Sequence, residues 1–248
     1  MSEDYKEAFE KTRVAGSIAA GALDEVAKII KPGIKTNKID ELCYNFIKDH
    51  GAYSAPLFYR GFPKSCCTSA NHIVCHGIPS DKILNEGDIV NVDVTAFKDG
   101  WHGDTSRTFE IGETSVKAKK LVKTTHDAMM NAIKIVKENI YLGDIGATIQ
   151  SYVEAEGFSV VQDFCGHGIG KTFHKEPNVL HYGEKGTGEK IKAGMIFTIE
   201  PMINLGNYET KLLNDGWTAV TKDKTLSAQF EHTIGVTKDG YEIFTLSK

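Results

Sequence analysis

Five residues of this sequence have side chains that commonly bind divalent metal ions, and all lie in or beside predicted strands. They are Asp93, Asp104, His167, Glu200 and Glu231. Taken singly, each is more often a structural or solvent-facing residue than a ligand. An acidic residue in a core strand is rarely buried unless it is paired or bound to a metal. Their joint occurrence in apolar strands with turns on either side therefore favours a metal site.

Residues 90–109 predict a β-hairpin that carries the first two acids. Apolar and polar residues alternate before Asp99-Gly100, a dipeptide that favours a two-residue turn because both positions tolerate positive φ. With this turn, Asp93 pairs with Ser106 and lies diagonal to Asp104, with the two backbones about 7–8 Å apart. A turn one residue earlier would place the aspartates directly opposite each other. Their shared face is either an ordinary solvated surface or a place where a metal neutralises like charges.

The other three candidate ligands come from the second half of the chain. His167 lies between glycines in Phe164-Cys-Gly-His-Gly-Ile-Gly, where small residues let the backbone pass close to a ligand or metal. The glycine spacing is not that of a dinucleotide-binding fingerprint. Glu200 ends an apolar strand and is held extended by Pro201. Glu231 points to the opposite side from its two chain neighbours in another alternating strand.

Apolar residues at helical spacing predict four helices that would cover these strands. The predicted helices span residues 4–30, from an N-cap at Thr36 or Asn37 to Gly51, 115–137 and 144–156. The order of helix, loop, helix and strands occurs twice, and an offset of 106 residues aligns the two helix pairs. We interpret this pattern as an internal duplication within one domain, residues 1–248, with halves of about 4–110 and 111–245. A site between two such halves is a common place for a ligand pocket.

The composition is that of an ordinary globular chain and disfavours several functional classes. The 248 residues, 41% hydrophobic and 25% charged, can bury a sizeable core. A net charge of −4 gives no electrostatic footprint for nucleic acid. We find neither a signal-peptide core nor a run of about 18 apolar residues that a membrane span needs. Five cysteines without a Cys-x-x-Cys pair favour a reduced, cytoplasmic chain, with a monomer as the default expectation.

At these residues the sequence resembles the methionine aminopeptidases. The matching segments are Asn71-His-Ile-Val-Cys-His-Gly-Ile-Pro79, Val92-Asp-Val-Thr95, Gly100-Trp-His-Gly-Asp-Thr-Ser-Arg-Thr-Phe109, Gly166-His-Gly-Ile-Gly170, Phe197-Thr-Ile-Glu-Pro201 and Gln229-Phe-Glu-His-Thr233. Their order and spacing cover nearly the whole chain. The resemblance implies a single catalytic domain with the α+β pita-bread fold, two pseudo-symmetric halves whose antiparallel sheets are covered by helices. It points to the short type 1 form of bacteria and organelles, because we see neither an N-terminal zinc-binding extension nor the long type 2 insertion.

The resemblance also implies a site with two divalent ions. Asp93 and Asp104 would bind one ion, while Asp104 and Glu231 would bridge to a second ion that His167 and Glu200 also hold. Four carboxylates carry about four negative charges, which two divalent cations balance, and such a pair can make hydroxide available at neutral pH. Oxygen-rich ligation with one imidazole suits Mn²⁺, Fe²⁺, Co²⁺ or Zn²⁺ and does not choose among them.

By the same resemblance, the chain removes the N-terminal methionine of nascent proteins near the ribosome and prefers a small second residue. The metal-activated hydroxide would attack the first peptide bond, and Glu200 would move the proton to the leaving amine. His174 would donate to the developing oxyanion, and His76 would position the substrate. Without the resemblance, we would interpret His76 as an ordinary loop histidine and His174 as a surface histidine.

The resemblance further assigns the pocket for the methionine side chain. Aromatic rings and a thiol suit a thioether, because sulfur–aromatic contacts are favourable. The implied pocket residues are Tyr59, Phe62, Cys67, Phe173 and Trp217. Without the resemblance, these aromatic residues would be assigned to the core. The substrate-facing loop departs from the family pattern at Pro56, Phe58 and Arg60, which affects the shape of the pocket and not the metal site.

Two alternatives belong beside this interpretation. A proline-specific aminopeptidase or creatinase-like hydrolase has the same fold but usually an additional N-terminal domain, for which 248 residues leave no room. A catalytically inactive protein that contacts ribosomes or RNA would have lost ligands and gained a basic patch. All five candidate metal-binding residues are present in this sequence and the net charge is −4. We therefore prefer the metal-dependent hydrolase.

Overall fold

Four helices cover the sheets in the computed structural model, which describes residues 5–247. They are α1 (Lys6–Ile29), α2 (Thr36–Asp49), α3 (Val116–Lys134) and α4 (Leu142–Ala155). All four predicted helices are present, with ends that differ by a few residues; the predicted start at residue 4 lies outside the described residues. None of the helices in this part of the chain is long and apolar enough to span a membrane.

The start of α2 differs from the prediction because of a contact with a distant loop. The helix begins at Thr36, so Lys35 is the N-cap residue, and its side chain makes no capping hydrogen bond. The Thr36 hydroxyl instead donates to the Ser80 carbonyl at 3.0 Å and accepts from the Ser80 N–H at 2.9 Å. Thr36, one of the two residues predicted to cap the helix, therefore connects α2 to the loop at Ser80.

The strands within residues 5–247 form three antiparallel sheets. They are β1 (Tyr53–Ser54), β2 (Cys67–Ala70), β3 (Ile73–Cys75), β4 (Ile89–Lys98), β5 (Trp101–Glu110), β6 (Ser159–Val160), β7 (Gly166–Gly168), β8 (Lys175–Val179), β9 (Ile196–Ile199), β10 (Met202–Asn204), β11 (Thr210–Leu212), β12 (Ala219–Thr221), β13 (Ser227–Gln229), β14 (Glu231–Val236) and β15 (Tyr241–Ile243). The main sheet has the order β1-β4-β5-β14-β9-β7-β8, with β2 also on β4 and β15 also on β14. The small sheets have the orders β13-β10-β6 and β11-β12-β3. Because β5 pairs directly with β14, the main sheet joins the first half of the chain to the second.

A hydrophobic core forms beneath each helix pair. Leu23 of α1 and Ile39 of α2 pack in one core with Val92 of β4. Met129 of α3 packs in the other core with Phe197 of β9. Antiparallel sheets covered by helices make the chain α+β, as the sequence predicted, while the exact limits of the two repeats stay a prediction.

The hairpin of β4 and β5 has the first of the two registers considered above. Asp99 and Gly100 have φ values of 49° and 85°, as the predicted two-residue turn requires. Asp93 is opposite Ser106, and Thr95 is opposite Asp104. The two aspartates are therefore diagonal neighbours on one face of the hairpin.

Helix α1 approaches β5 so closely that both elements have a glycine at the contact. A Cβ atom on Gly103 would lie 2.2 Å from the backbone nitrogen of Gly16 and 2.4 Å from its Cα. Because backbone atoms cannot rotate away, we expect Gly103→Ala to lower the free energy of unfolding by about 1–3 kcal/mol, measured by urea denaturation. Gly240→Ala is the matched control, since the nearest atom to its Cβ would be 3.9 Å away. Equal stability of the two variants would contradict this contact.

Candidate active site

The residues that the sequence analysis assigned to ligation, catalysis and substrate binding line one cavity of about 380 Å³. These residues are Tyr59, Phe62, Cys67, His76, Asp93, Asp104, His167, Phe173, His174, Glu200, Trp217 and Glu231. They come from both halves of the chain, and strands of the main sheet carry or directly precede the five candidate metal ligands.

Four neighbouring strands bring the acidic residues to one side of the cavity. Ser106 of β5 is opposite Asp93 of β4 on one side and opposite Glu231 of β14 on the other. Asp104 lies two residues before Ser106 and therefore on the same face of β5. Glu200 directly follows β9, the strand on the far side of β14. The register of the sheet thus makes the four carboxylates converge.

His167 on β7 directs one ring nitrogen toward these carboxylates. Its Nε2 lies 3.8 Å from Asp104 Oδ2 and 3.6 Å from Glu200 Oε1. One ligand atom each of Asp104, His167 and Glu231 lies within 4.8 Å of the others. The Nδ1 of His167 is 3.1 Å from the Gly168 carbonyl oxygen, which can only accept, so Nδ1 is the donor. The lone pair on Nε2 is therefore free for a cation.

Burial makes the charged form of these acids unfavourable without a cation. It raises the pKa of Asp93 to about 7 and the pKa of Glu200 to about 8. Burial and then the neighbouring carboxylates raise the pKa of Asp104 and of Glu231 well above the ordinary value. Burial lowers the pKa of His167 to about 4, so the imidazole is neutral. Four carboxylates and one free imidazole nitrogen are a donor set that fits divalent metal ions, whose charge offsets the repulsion.

Three polar side chains that the sequence analysis missed orient the acids. The Thr95 hydroxyl donates to Asp104 Oδ1 at 2.7 Å. The Thr198 hydroxyl donates to Glu200 Oε1 at 2.7 Å, and Gln229 Nε2 donates to Glu200 Oε2 at 3.3 Å. Each of the three lies two residues from a predicted ligand in an extended segment. The alternation of side chains along a strand was therefore a signal that could have identified them.

His181 also supports the site, although it lies outside every motif identified in the sequence. It is 1% exposed, and its Nε2 accepts a hydrogen bond from the backbone N–H of Glu200 at 3.1 Å. Burial lowers the pKa of His181 to about 3, so this neutral ring fixes the backbone at Glu200. Its Nδ1 has no hydrogen-bond partner among residues 5–247. No local pattern in the sequence connects His181 with Glu200.

Two further histidines lie along the cavity wall. The Nδ1 of His174 is 3.0 Å from the Tyr59 hydroxyl, and the His174 ring centroid is 4.2 Å from that of His167. Partial burial, followed by the nearby histidines, lowers the pKa of His174. His76 has a φ of 56° and packs edge-on against Phe164 at 5.6 Å; burial lowers its pKa as well. Both rings are therefore neutral at pH 7 and can exchange hydrogen bonds with a substrate.

The aromatic residues predicted to bind methionine form two groups. Phe62 and Trp217 pack edge to face with ring centroids 5.2 Å apart. Tyr59 and Phe173 form the second group, with centroids 5.0 Å apart. Cys67 is 6% exposed and lines the same cavity. The cavity thus has two aromatic walls, a division that the sequence did not indicate.

Several cavity residues lie outside the predicted set. Phe164 and Cys165 belong to the glycine-containing segment around His167, and Asp163 and Met202 each adjoin a motif residue. Of the three departures from the family pattern, Pro56 and Arg60 line the cavity. Phe58 is 76% exposed and is not among the lining residues.

Comparisons with known proteins agree with this geometry. Residues 10–238 match the family described as metallopeptidase family M24. The chain belongs to this family. The methionine aminopeptidase of Rickettsia prowazekii (strain Madrid E) is 59% identical over 240 residues, which cover 96% of this chain and 93% of that protein. The crystal structure of methionine aminopeptidase from Rickettsia prowazekii matches with a TM-score of 0.96 at 58% identity, covering 97% of this chain and 98% of that chain.

A more distant structure shares the fold alone. The prolidase from Pyrococcus furiosus has a TM-score of 0.77 at 22% identity, and the match covers 98% of this chain and 65% of that chain. The predicted pita-bread fold and the resemblance to the methionine aminopeptidases are both confirmed. Since family M24 consists of metallopeptidases, the prediction of a metal-dependent peptidase is also confirmed.

The raised pKa values predict that the metal-free M24 protein becomes less stable as pH rises. The unfolded chain releases the protons of Asp93 and Glu200 near pH 4, whereas the folded chain keeps them until about pH 7 and 8. The buried histidines, whose pKa values are lowered, oppose this trend only below about pH 6.5, where the unfolded chain takes up their protons. Above that pH the acids make the folded state bind more protons, so the free energy of unfolding falls with rising pH. We expect a lower melting temperature in EDTA at about pH 8.5 than at about pH 6.5. Added Mn²⁺ should raise the melting temperature most at the higher pH, and a metal-free melting temperature that did not fall with pH would contradict this account.

Proposed function

We propose that this chain is a methionine aminopeptidase that removes the N-terminal methionine of nascent proteins and prefers a small second residue. The observation that carries the proposal is the cluster of four carboxylates and one imidazole beside a wall of aromatic rings in one cavity. The carboxylates and the imidazole suit a metal-dependent hydrolase, and the aromatic rings suit a thioether side chain. The names of the relatives above support the same activity.

The cofactors in this proposal are two divalent ions, Co²⁺, Mn²⁺, Fe²⁺ or Zn²⁺. Asp93 and Asp104 would hold one ion; Asp104 and Glu231 would bridge to the other, which His167 and Glu200 complete. When bound, such ions supply Lewis acidity and lower the pKa of water. The buried, mutually repelling carboxylates and the free Nε2 support this assignment.

The side chains around the ions have distinct roles in the proposal. Glu200 accepts the proton of the attacking water and passes it to the leaving amine; its oxygens are oriented by Thr198 and Gln229. The Tyr59 hydroxyl can donate to His174 Nδ1, which leaves a proton on Nε2 for the developing oxyanion. His76 positions the peptide across the scissile bond.

The aromatic walls give the proposed specificity for methionine. Phe62, Cys67 and Trp217, together with Tyr59 and Phe173, would surround the thioether. The preference for a small second residue is proposed from the likeness to the methionine aminopeptidases.

The remaining proposals concern the domain organisation, location and partners of the chain. We infer one catalytic domain, residues 1–248, that acts as a cytoplasmic monomer on N-terminal methionyl peptides close to the ribosome, without binding nucleic acid or membrane. The main sheet with strands from both halves supports the single domain, and the net charge of −4 supports the absence of nucleic acid.

The test is hydrolysis of Met-Ala-Ser and Ala-Ala-Ser by chelator-stripped protein, with Mn²⁺, Co²⁺, Fe²⁺ and Zn²⁺ added separately. We expect metal-dependent release of methionine and no release of alanine. Asp104→Asn, which removes the proposed bridging charge, should lose the response to metal, whereas Asp99→Asn in the exposed turn should keep it. No release with any metal would reject the proposed function and favour a binding protein on this scaffold.

A further inference from the structure

The cavity carries one positive charge that the proposed reaction does not use. Arg60 lines the cavity and is exposed. The other two arginines of the sequence form ion pairs, Arg13 with Glu242 and Arg107 with Asp24. Arg60 has no acidic partner within salt-bridge distance among residues 5–247. A guanidinium without an acidic partner beside a substrate cavity is available for an anionic group on the substrate.

The backbone holds Arg60 in a tight turn. Arg60 has a φ of 48° and lies between Phe58, with a φ of 65°, and Gly61, with a φ of 88°. The Phe58 N–H donates to the Phe62 carbonyl at 2.7 Å, and the Phe62 N–H donates to the Tyr59 carbonyl at 2.9 Å. Non-glycine residues in this conformation are costly and cluster at ligand-binding sites. The turn therefore fixes the position from which the guanidinium reaches the cavity.

The Arg60 side chain lies next to the proposed catalytic residues. Its Cζ is 5.4 Å from the centroid of the Tyr59 ring, a cation–π contact. Tyr59 in turn contacts His174 through its hydroxyl. The charge of Arg60 also contributes, after partial burial and the nearby histidines, to the lowered pKa of His174. Arg60, Tyr59 and His174 thus form a continuous set of contacts from the exposed turn to the metal-ligand cluster.

We propose that Arg60 selects peptides with a carboxylate on their third or fourth residue. The proposal rests on the proposed function, in which His174 contacts the scissile carbonyl. Because Arg60 lies on the Tyr59 ring and the Tyr59 hydroxyl contacts His174, we infer that the residues after the scissile bond pass Arg60 as they leave the cavity. An extended peptide advances about 3.3–3.6 Å per residue beyond the scissile bond. The side chain of the third or fourth residue is therefore the one expected to reach the Arg60 guanidinium on the Tyr59 ring. Asp163 lines the cavity but is not one of the proposed metal ligands. It accepts a hydrogen bond from the Thr210 hydroxyl, so Arg60 stays available for a carboxylate of the substrate.

The experiment compares isosteric pairs of peptides that differ by one charge. The pairs are Met-Ala-Asp-Ser with Met-Ala-Asn-Ser and Met-Ala-Ser-Asp with Met-Ala-Ser-Asn, all as C-terminal amides so that the terminal carboxylate is removed. For at least one pair we expect kcat/KM to be about threefold to fivefold higher for the aspartate peptide, the range of an exposed ion pair. The difference should lie in KM and shrink at high salt. Arg60→Gln should remove the preference, and Arg60→Glu should reverse it.

Lys171 provides a matched control. Its Nζ lies 5.4 Å from the centroid of the Trp101 ring, so it is also an exposed cation over an aromatic ring, but it is not among the cavity residues. Lys171→Gln should keep the preference for aspartate. Equal kcat/KM for both members of both pairs, or an unchanged preference in Arg60→Gln, would overturn the role of Arg60 while leaving the proposed function intact. No release of methionine from any of the four peptides would instead reject the proposed function.

Discussion

Replacing Glu200 by glutamine is expected to lower kcat on Met-Ala-Ser by about a thousandfold, within the range for loss of a general acid–base group. Glutamine has nearly the same shape as glutamate but cannot take up a proton from water. The backbone contact with His181 and the hydrogen bond from Thr198 involve atoms that glutamine retains, and only the 3.3 Å hydrogen bond from Gln229 is lost. The fold should therefore persist, as measured by circular dichroism and thermal unfolding.

The measurement needs a control for the loss of one negative charge from the chain. Glu184→Gln removes an exposed acid and should leave kcat unchanged. Calorimetric titration with Mn²⁺ separates the two proposed roles of Glu200, metal binding and proton transfer. It gives the metal concentration that saturates the variant, and at that concentration weaker metal binding alone would not reduce kcat. Activity of Glu200→Gln within tenfold of the unmodified protein at saturating metal would remove Glu200 from the proton transfer.

His174→Ala is expected to lower kcat by about 10²–10³-fold, the usual cost of losing one oxyanion donor, with little change in KM. The reason is that the ring would donate to charge that develops only in the transition state. Tyr59→Phe should produce a smaller loss of kcat, because it removes the hydroxyl that contacts Nδ1 at 3.0 Å and leaves the ring itself.

Lys175→Ala, a change at the exposed next residue, is the control for disturbance of the local backbone. It should keep both kcat and KM. An increase in KM at constant kcat in His174→Ala would assign the histidine to substrate binding and remove it from the oxyanion role.

Local patterns predicted the features of this fold that depend on local chemistry. The Asp99-Gly100 turn fixes the register of the hairpin because positive φ is required at both positions. The alternation in β4 and β14 then determines which face carries Asp93 and Glu231. These features need only neighbouring residues, which is why the hairpin pattern predicted that Asp93 and Asp104 share a face.

Contacts between distant segments account for what the sequence did not predict. Thr36 bonds to Ser80 and does not cap its helix, and His181 contacts the Glu200 backbone across the fold. Gly103 meets Gly16 only because α1 packs on β5. The division of the aromatic residues into two walls also depends on the fold placing Trp217 against Phe62. No periodicity within one segment contains this information.

The pairing of β5 with β14 has a consequence for how the protein matures. β4 and β5 can form their hairpin before β14 is synthesised, because β5 ends at Glu110 and β14 begins only at Glu231. Until β14 leaves the ribosome, β5 has an open edge, which is a site for incorrect pairing with other strands. Glu231 is also the last of the proposed metal ligands to be synthesised. The growing chain therefore joins its two halves and gains its last proposed metal ligand in the same step, and no nascent form that ends before Glu231 has the full ligand set.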